Sequence, residues 1–137
     1  MELRFAHTAD YVAADASGKL TIVGVFDIVW SQIATRPIPF PPFYLVAAFE
    51  ASIAEGAEHP VEIRLVDDDE ETLSTISGTL HLRAHGMGHP ARGHVLVGFG
   101  LGAVQVPAHG DYYYRFLVNG AVIGQTRVSV LPASAQS

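Results

Sequence analysis

A segment near the C-terminus, residues 110–130, most constrains what this chain can fold into. Its apolar alternation runs through Tyr112, Tyr114 and Phe116. Alternate residues of a β-strand face opposite sides of a sheet. The run ends at Asn119-Gly120, a pair that tolerates the positive φ angles of a tight turn. The segment therefore predicts a β-hairpin with these aromatic rings in a core and Tyr113 outside it.

The turn of this hairpin allows two strand registers. A two-residue turn pairs Val118 with Ala121 but leaves the last valines of the segment on the wrong face. A three-residue loop with Gly120 in a left-handed bulge pairs Phe116 with Val122 and restores one apolar face. Because one buried face fixes register more strongly than a turn preference does, we predict the bulged loop.

Short apolar runs recur along the rest of the chain, separated by 13 glycines and 8 prolines. The further predicted strands lie at 3–13, 19–30, 43–53, 61–65, 72–85 and 94–101, with a short edge strand at 103–106. The proline-rich residues 35–42 exclude a central strand. This spacing predicts a single all-β domain over residues 1–137, an antiparallel, immunoglobulin-like two-sheet sandwich of about seven to nine strands. A closed barrel is the alternative, and residues 133–137 are predicted to be a frayed tail.

The charge balance excludes several classes of partner. The net charge is −6 with only eight Lys and Arg, so we expect binding to neither nucleic acid nor an anionic membrane. There is no cysteine, which excludes disulfides and thiolate metal sites. No apolar run is long enough to span a bilayer and no signal peptide is recognisable. These observations predict a soluble cytoplasmic protein.

Two stretches together resemble a known family. They are Ala9 to Ile28, which contains Gly-Lys-Leu-Thr-Ile-Val-Gly-Val-Phe, and the closing Gly110 to Phe116 with the Val-Asn-Gly-Ala-Val-Ile-Gly that follows. In these the chain resembles a family of small bacterial proteins whose function is not known. The resemblance covers nearly the whole chain and implies no catalytic residues.

Histidines provide the first candidate site. Four of the seven, namely His81, His85, His89 and His94, fall within fourteen residues around a Gly-Met-Gly loop. In a strand His81 and His85 would lie about 13 Å apart, too far to share an ion. Only His85, His89 and His94 can converge, and they are the candidate ligands of a divalent metal. The structural alternative is an exposed polar strand and loop.

Two further motifs have weaker functional interpretations. Asp67, Asp68 and Asp69 open an acidic run to Glu71 that could chelate calcium, although it lacks EF-hand spacing and a solvated hairpin turn is the simpler interpretation. Residues 36–42 fit a basic, proline-rich ligand motif but can equally pack as a crossover between sheets.

No nucleophile motif or phosphate-binding glycine loop is present, so the sequence indicates a protein that is not an enzyme. The first hypothesis is a non-catalytic β-sandwich acting through protein–protein contacts, as a homo-oligomer or with another protein, because several strands are apolar on both faces. The alternative is a metal- or small-molecule-binding protein, with enzymatic activity left open, that uses the loop at 85–94.

Overall fold

The computed structural model describes residues 1–33, 37–86 and 88–133. Its eleven strands are β1 (Glu2–Ala14), β2 (Leu20–Phe26), β3 (Ile28–Ser31), β4 (Ile38–Pro39), β5 (Phe43–Ala51), β6 (Glu58–Asp67), β7 (Thr72–His81), β8 (Ala91–Phe99), β9 (Gln105–Val106), β10 (Gly110–Val118) and β11 (Ala121–Pro132). A short 3₁₀ turn lies at Ile53–Glu55. No helix in the described residues is long and apolar enough to cross a membrane. The all-β prediction is confirmed.

The strands form two large sheets and one small one. Sheet A has four strands in the order β2-β1-β5-β8, and sheet B has five in the order β3-β11-β10-β6-β7. The short strands β4 and β9 pair with each other. Most neighbours are antiparallel, as predicted, but β3 runs parallel to β11. This parallel pair lies at the outer edge of sheet B.

Sheets A and B share one hydrophobic core. Phe43 and Phe49 of β5 meet Tyr114 and Phe116 of β10, with ring centroids 6.3 Å apart for Phe43–Tyr114 and 6.1 Å apart for Phe49–Phe116. Both strands lie in the interior of their sheets, and β5 is buried on both faces. Strand β6 follows the predicted alternation, with its apolar side chains buried and the intervening Glu62 and Arg64 half-exposed.

The closing hairpin forms, but its register differs from the prediction. Asn119 and Gly120 both have positive φ, at 53° and 80°, so the turn has two residues and Val118 pairs with Ala121. The extra residue lies further along, at Ile123 of β11. This bulge corrects the face of the strand, and the later valines are fully buried. The predicted three-residue loop was wrong because the bulge lies in the strand instead of the turn.

The strand predicted at 19–30 divides in two at Asp27. Strand β2 pairs in sheet A, whereas β3 pairs in sheet B, and Ser129 donates its backbone N–H to the Asp27 carbonyl at 2.8 Å. Val29 is buried and Trp30 is exposed, so Val29 is the side chain that β3 contributes to the core. This division and the short strand β4 account for the larger number of strands than predicted.

The proline-rich segment closes one end of the core. Ile38 and Phe40 are buried, and the Phe40 N–H donates to the Val104 carbonyl at 2.8 Å. The segment thus forms only a two-residue strand, as its prolines require. Arg36, the basic residue of the predicted ligand motif, lies outside the described residues, as does most of the predicted frayed tail.

Candidate functional site

The far end of the β1–β2 hairpin packs onto the outer face of sheet A. On β5, Tyr44 and Val46 point away from the shared core. Val12, Leu20 and Ile22 from the hairpin pack against this second face, where Val46 is completely buried. The end of the hairpin is therefore an arm that covers part of the sheet.

We infer that the arm bends at Asp10 and Gly24, which lie between the Ala9–Val25 and Tyr11–Val23 pairs of the β1–β2 ladder. There the burial pattern of β1 loses its alternation, since Asp10 and Tyr11 are both exposed between the buried Ala9 and Val12. Gly24 has a φ of +69°, which glycine adopts at little cost. A Cβ at this position would collide with the Asp10 carboxylate. Glycine at this position therefore allows β2 to approach Asp10 of β1 closely.

A cleft of about 480 Å³ separates the turn of the arm, residues 15–20, from the end of β7 and the start of β8. Its charged and histidine lining residues are Arg4, Asp15, Lys19, His81, Arg83, His85, Arg92 and His94. We call it the basic cleft. The chain has eight Lys and Arg in total, so half of them line this one cleft in a protein of net charge −6.

Two arginines lie directly opposite each other at one wall of the basic cleft. The Arg83 N–H donates to the Arg92 carbonyl at 2.8 Å, and the Arg92 N–H donates back at 3.0 Å. Residues paired in this way project their side chains to the same side of a ladder, and like charges so placed disfavour the pair. Gly93, next to Arg92, allows β8 to approach the end of β7 closely, because a Cβ at residue 93 would collide with the His81 carbonyl.

One carboxylate partly balances this charge. Glu50 Oε2 lies 3.4 Å from Arg92 Nε and 3.9 Å from Arg4 Nε. Within the described ranges, no carboxylate lies at ion-pair distance from Arg83 or Lys19. The cleft therefore keeps an excess of positive charge.

The acidic residue of the lining is engaged by its own turn. Asp15 Oδ1 accepts hydrogen bonds from the Ser17 hydroxyl at 2.6 Å, the Ser17 N–H at 2.9 Å and the Lys19 N–H at 3.0 Å. The Ser17 hydroxyl and then the Lys19 N–H lower the pKa of the Asp15 carboxyl below its ordinary value. Asp15 thus stays ionised and shapes the arm's turn, which carries Lys19 into the cleft.

The structure separates the predicted metal ligands into two groups. His85 and His94 line the basic cleft, whereas His89 is exposed in the loop outside the lining. His81, which the strand geometry had set apart, also lines the cleft and lies 3.7 Å from Glu58. The described part of the chain brings together no three His, Cys, Asp or Glu side chains able to hold a metal ion. Metal binding at this loop stays a prediction.

The acidic run forms a hairpin turn between β6 and β7. Asp67 Oδ1 accepts hydrogen bonds from the N–H groups of Asp69 and Glu71, each at 2.9 Å, so it is used by its own turn. Asp68 and Asp69 are exposed. Glu70 pairs with Arg115 at 2.6 Å, and this hydrogen bond lowers the pKa of the Glu70 carboxyl. The calcium hypothesis gains no geometric support from this turn and stays a prediction.

Sequence reasoning missed the arginines and the lysine of the cleft. Arg4 and Lys19 come from segments far from the histidine loop, and only the bend of the arm brings the Lys19 turn to it. Arg83 and Arg92 lie on either side of the Gly-Met-Gly run at 86–88. A prediction of a hairpin around this run would have paired the two arginines. That spacing was the available signal.

The fold and the cleft together define an all-β protein with an open, positively charged site at the edge of a sheet. Comparison with protein families matches residues 4–131 to the family of unknown function DUF6941. The match covers nearly the whole chain, so the protein belongs to this family, and the resemblance to an uncharacterised family is confirmed. Neither the curated proteins nor the solved structures contain a match.

Proposed function

We propose that this protein is a non-catalytic, immunoglobulin-like β-sandwich domain that acts through protein–protein contact, with a second copy of the same chain as its partner. The observation that carries the proposal is an apolar sheet edge formed by β2 and β3, two strands without a charged residue. A cytoplasmic location is part of the proposal and rests on the composition of the chain.

Two contacts support the immunoglobulin-like sandwich. The facing sides of sheets A and B contribute to one core, as the two layers of a sandwich do. The Tyr112 hydroxyl donates to the Ala108 carbonyl at 2.5 Å, just before β10 begins. A tyrosine bonded to the backbone a few residues upstream is typical of the tyrosine corner of such domains.

The proposed interface is the edge patch, which consists of Tyr11, Val23, Val25 and Trp30. Each of these side chains is more than half exposed, between 51% and 57%. Tyr11 pairs with Val23, and β2 and β3, which are joined at Asp27, are outer strands of sheets A and B. Outer strands present unpaired backbone groups that a further strand can satisfy.

The opposite outer strand of sheet B has a polar surface. Strand β7 exposes mainly threonine and serine side chains, such as Thr75, Ser77 and Thr79. In contrast, the stretches Leu20–Phe26 and Ile28–Ser31 contain no charged residue. Two copies with a net charge of −6 repel each other, and the exposed Asp27 between the two strands is the one charged residue of residues 20–31. The low charge of this edge therefore favours self-association here over the rest of the surface.

Light scattering after size-exclusion chromatography at micromolar concentration tests the proposal. The wild-type protein is expected to elute as a dimer, and Val25→Lys as a monomer, because a lysine would lie in the apolar contact. Ser77→Lys places the same charge on the exposed face of β7 and is expected to stay dimeric. A monomeric wild type, or equal behaviour of the two variants, would refute the proposal.

A second candidate function is the binding of a metal or small molecule at the loop 85–94. The meeting of His85 and His94 in one cleft favours it. Elemental analysis of tag-free protein purified without chelator tests the metal, and absence of a stoichiometric metal would reject it. A calcium-dependent rise in melting temperature, lost in Asp68→Asn, tests the turn at Asp67–Glu71 in the same way.

A further inference from the structure

We propose that the basic cleft binds a small molecule that carries a phosphate monoester. This gives the second candidate function a ligand class and is independent of self-association through the edge patch. It follows from the concentration of charge in the cleft, from the pairing of two arginines at its wall and from its size.

The charge of the cleft matches that of a phosphate monoester. Its four basic side chains and Asp15 give a formal charge of +3, which Glu50 behind Arg92 reduces to +2. A phosphate monoester carries a charge of about −1.5 to −2 at neutral pH. The bound group would neutralise the excess positive charge of the cleft.

A bound anion would explain why two arginines, Arg83 and Arg92, lie opposite each other in the cleft. Backbone pairing holds the two residues opposite each other although their like charges disfavour it. Glu50 compensates Arg92, whereas Arg83 has no carboxylate at ion-pair distance in the described residues. Guanidinium groups bind phosphate oxygens through pairs of charge-assisted hydrogen bonds. A phosphate bound by the two guanidinium groups would offset the repulsion between them.

The opposite wall of the basic cleft supplies a further cation for the phosphate. Lys19 extends from the arm's turn, which Asp15 holds in place through three hydrogen bonds. The volume of about 480 Å³ lies within the range of ordinary small-molecule sites. The same cations repel a divalent metal, so the surroundings of His85 and His94 favour an anion over a cation.

Titration with phenyl phosphate, followed by backbone amide NMR of the full chain at low salt, tests this inference. The wild type is expected to show saturable shifts confined to residues 15–19, 83–86 and 92–94. Arg83→Gln is expected to weaken the affinity about tenfold, since it removes a charge-assisted pair. Lys19→Gln removes a charge from the other wall without touching the two arginines and is expected to weaken binding several-fold.

Arg127→Gln is the matched control, because Arg127 is exposed on β11 outside the cleft. It is expected to bind phenyl phosphate as the wild type does. Shifts that do not saturate, that spread over other surfaces or that weaken equally in Arg127→Gln would overturn the inference. So would saturable zinc binding at His85 and His94 that excludes phenyl phosphate. None of these results depends on the oligomeric state, which light scattering measures separately.

Discussion

Removing one oxygen atom from the core is expected to stabilise this protein. Tyr114 is buried between Phe43 and Phe99, and its hydroxyl has no hydrogen-bond partner in the described part of the chain. A buried polar group left without a partner costs about 1–3 kcal/mol. Tyr114→Phe keeps the ring and its packing and removes only this hydroxyl. We expect the free energy of unfolding to rise by about 1 kcal/mol.

Tyr112→Phe is the matched control, two positions away on the same strand. The Tyr112 hydroxyl donates to the Ala108 carbonyl at 2.5 Å and accepts from the Ala108 N–H at 3.3 Å. The same substitution there removes satisfied hydrogen bonds and is expected to lower the free energy of unfolding by about 1 kcal/mol. The two variants therefore differ in sign although the chemical change is identical.

Urea unfolding and thermal melts measure both variants. A change of about 1 kcal/mol in a chain of this length moves the melting temperature by roughly 3–5 °C. We expect a higher melting temperature for Tyr114→Phe and a lower one for Tyr112→Phe. A loss of stability in Tyr114→Phe would refute the argument, since it would mean that the hydroxyl is satisfied in solution.

Alkaline pH gives an independent measurement on the same residue. Burial raises the pKa of Tyr114 above its ordinary value of 10.0. Below pH 10 the phenol is neutral in both states, so its ionisation does not change the stability. Above it the unfolded chain ionises first, so stability falls by about 1.4 kcal/mol per pH unit. Tyr114→Phe is expected to lose less stability than the wild type between pH 10 and 11, and equal losses would contradict the assignment.

Three further substitutions test the fold around the site. Gly24→Ala is expected to cost about 1–3 kcal/mol in urea unfolding, because it strains a left-handed residue and collides with Asp10; Gly78→Ala, where the added Cβ meets only an ordinary contact, is the control and should change stability little. Gly93→Ala is expected to separate the two cleft arginines and to shift their amide NMR signals, and an unchanged spectrum would contradict the close approach. Phe43→Ala is expected to cost about 3–5 kcal/mol, because the side chain is 1% exposed at the centre of the aromatic core; a loss below about 1 kcal/mol would show that the core collapses around the gap.

The sequence predicted the strands well where one face alternates clearly. The core positions of β6 and β10 follow from period-two patterns that backbone geometry imposes locally. The register of the closing hairpin did not follow, because the bulge at Ile123 lies in an unremarkable stretch of β11. Turn chemistry and burial were both satisfied, at two different positions, and the pattern alone could not separate them.

The candidate site was predictable only in part. The histidines indicated a loop that borders the basic cleft, because they are close in sequence. Arg4 and Lys19 could not be added, since their position depends on how the β1–β2 arm bends over sheet A. Gly24, with its positive φ, lies at this bend, and a glycine in a strand pattern does not show where a hairpin bends. The chemistry of the cleft therefore emerges from long-range packing.

The parallel pairing of β3 with β11 has a consequence for the order in which the chain folds. Ile28 pairs with Ser129, about 100 residues later, and contacts of such separation form slowly. During synthesis β3 lacks its neighbour until almost the whole chain has emerged, and its exposed Trp30 stays available to other chains. The hairpins β6–β7 and β10–β11 close over short loops and are expected to form first. Hydrogen exchange during refolding should therefore protect β6 before β3, and simultaneous protection would contradict this order.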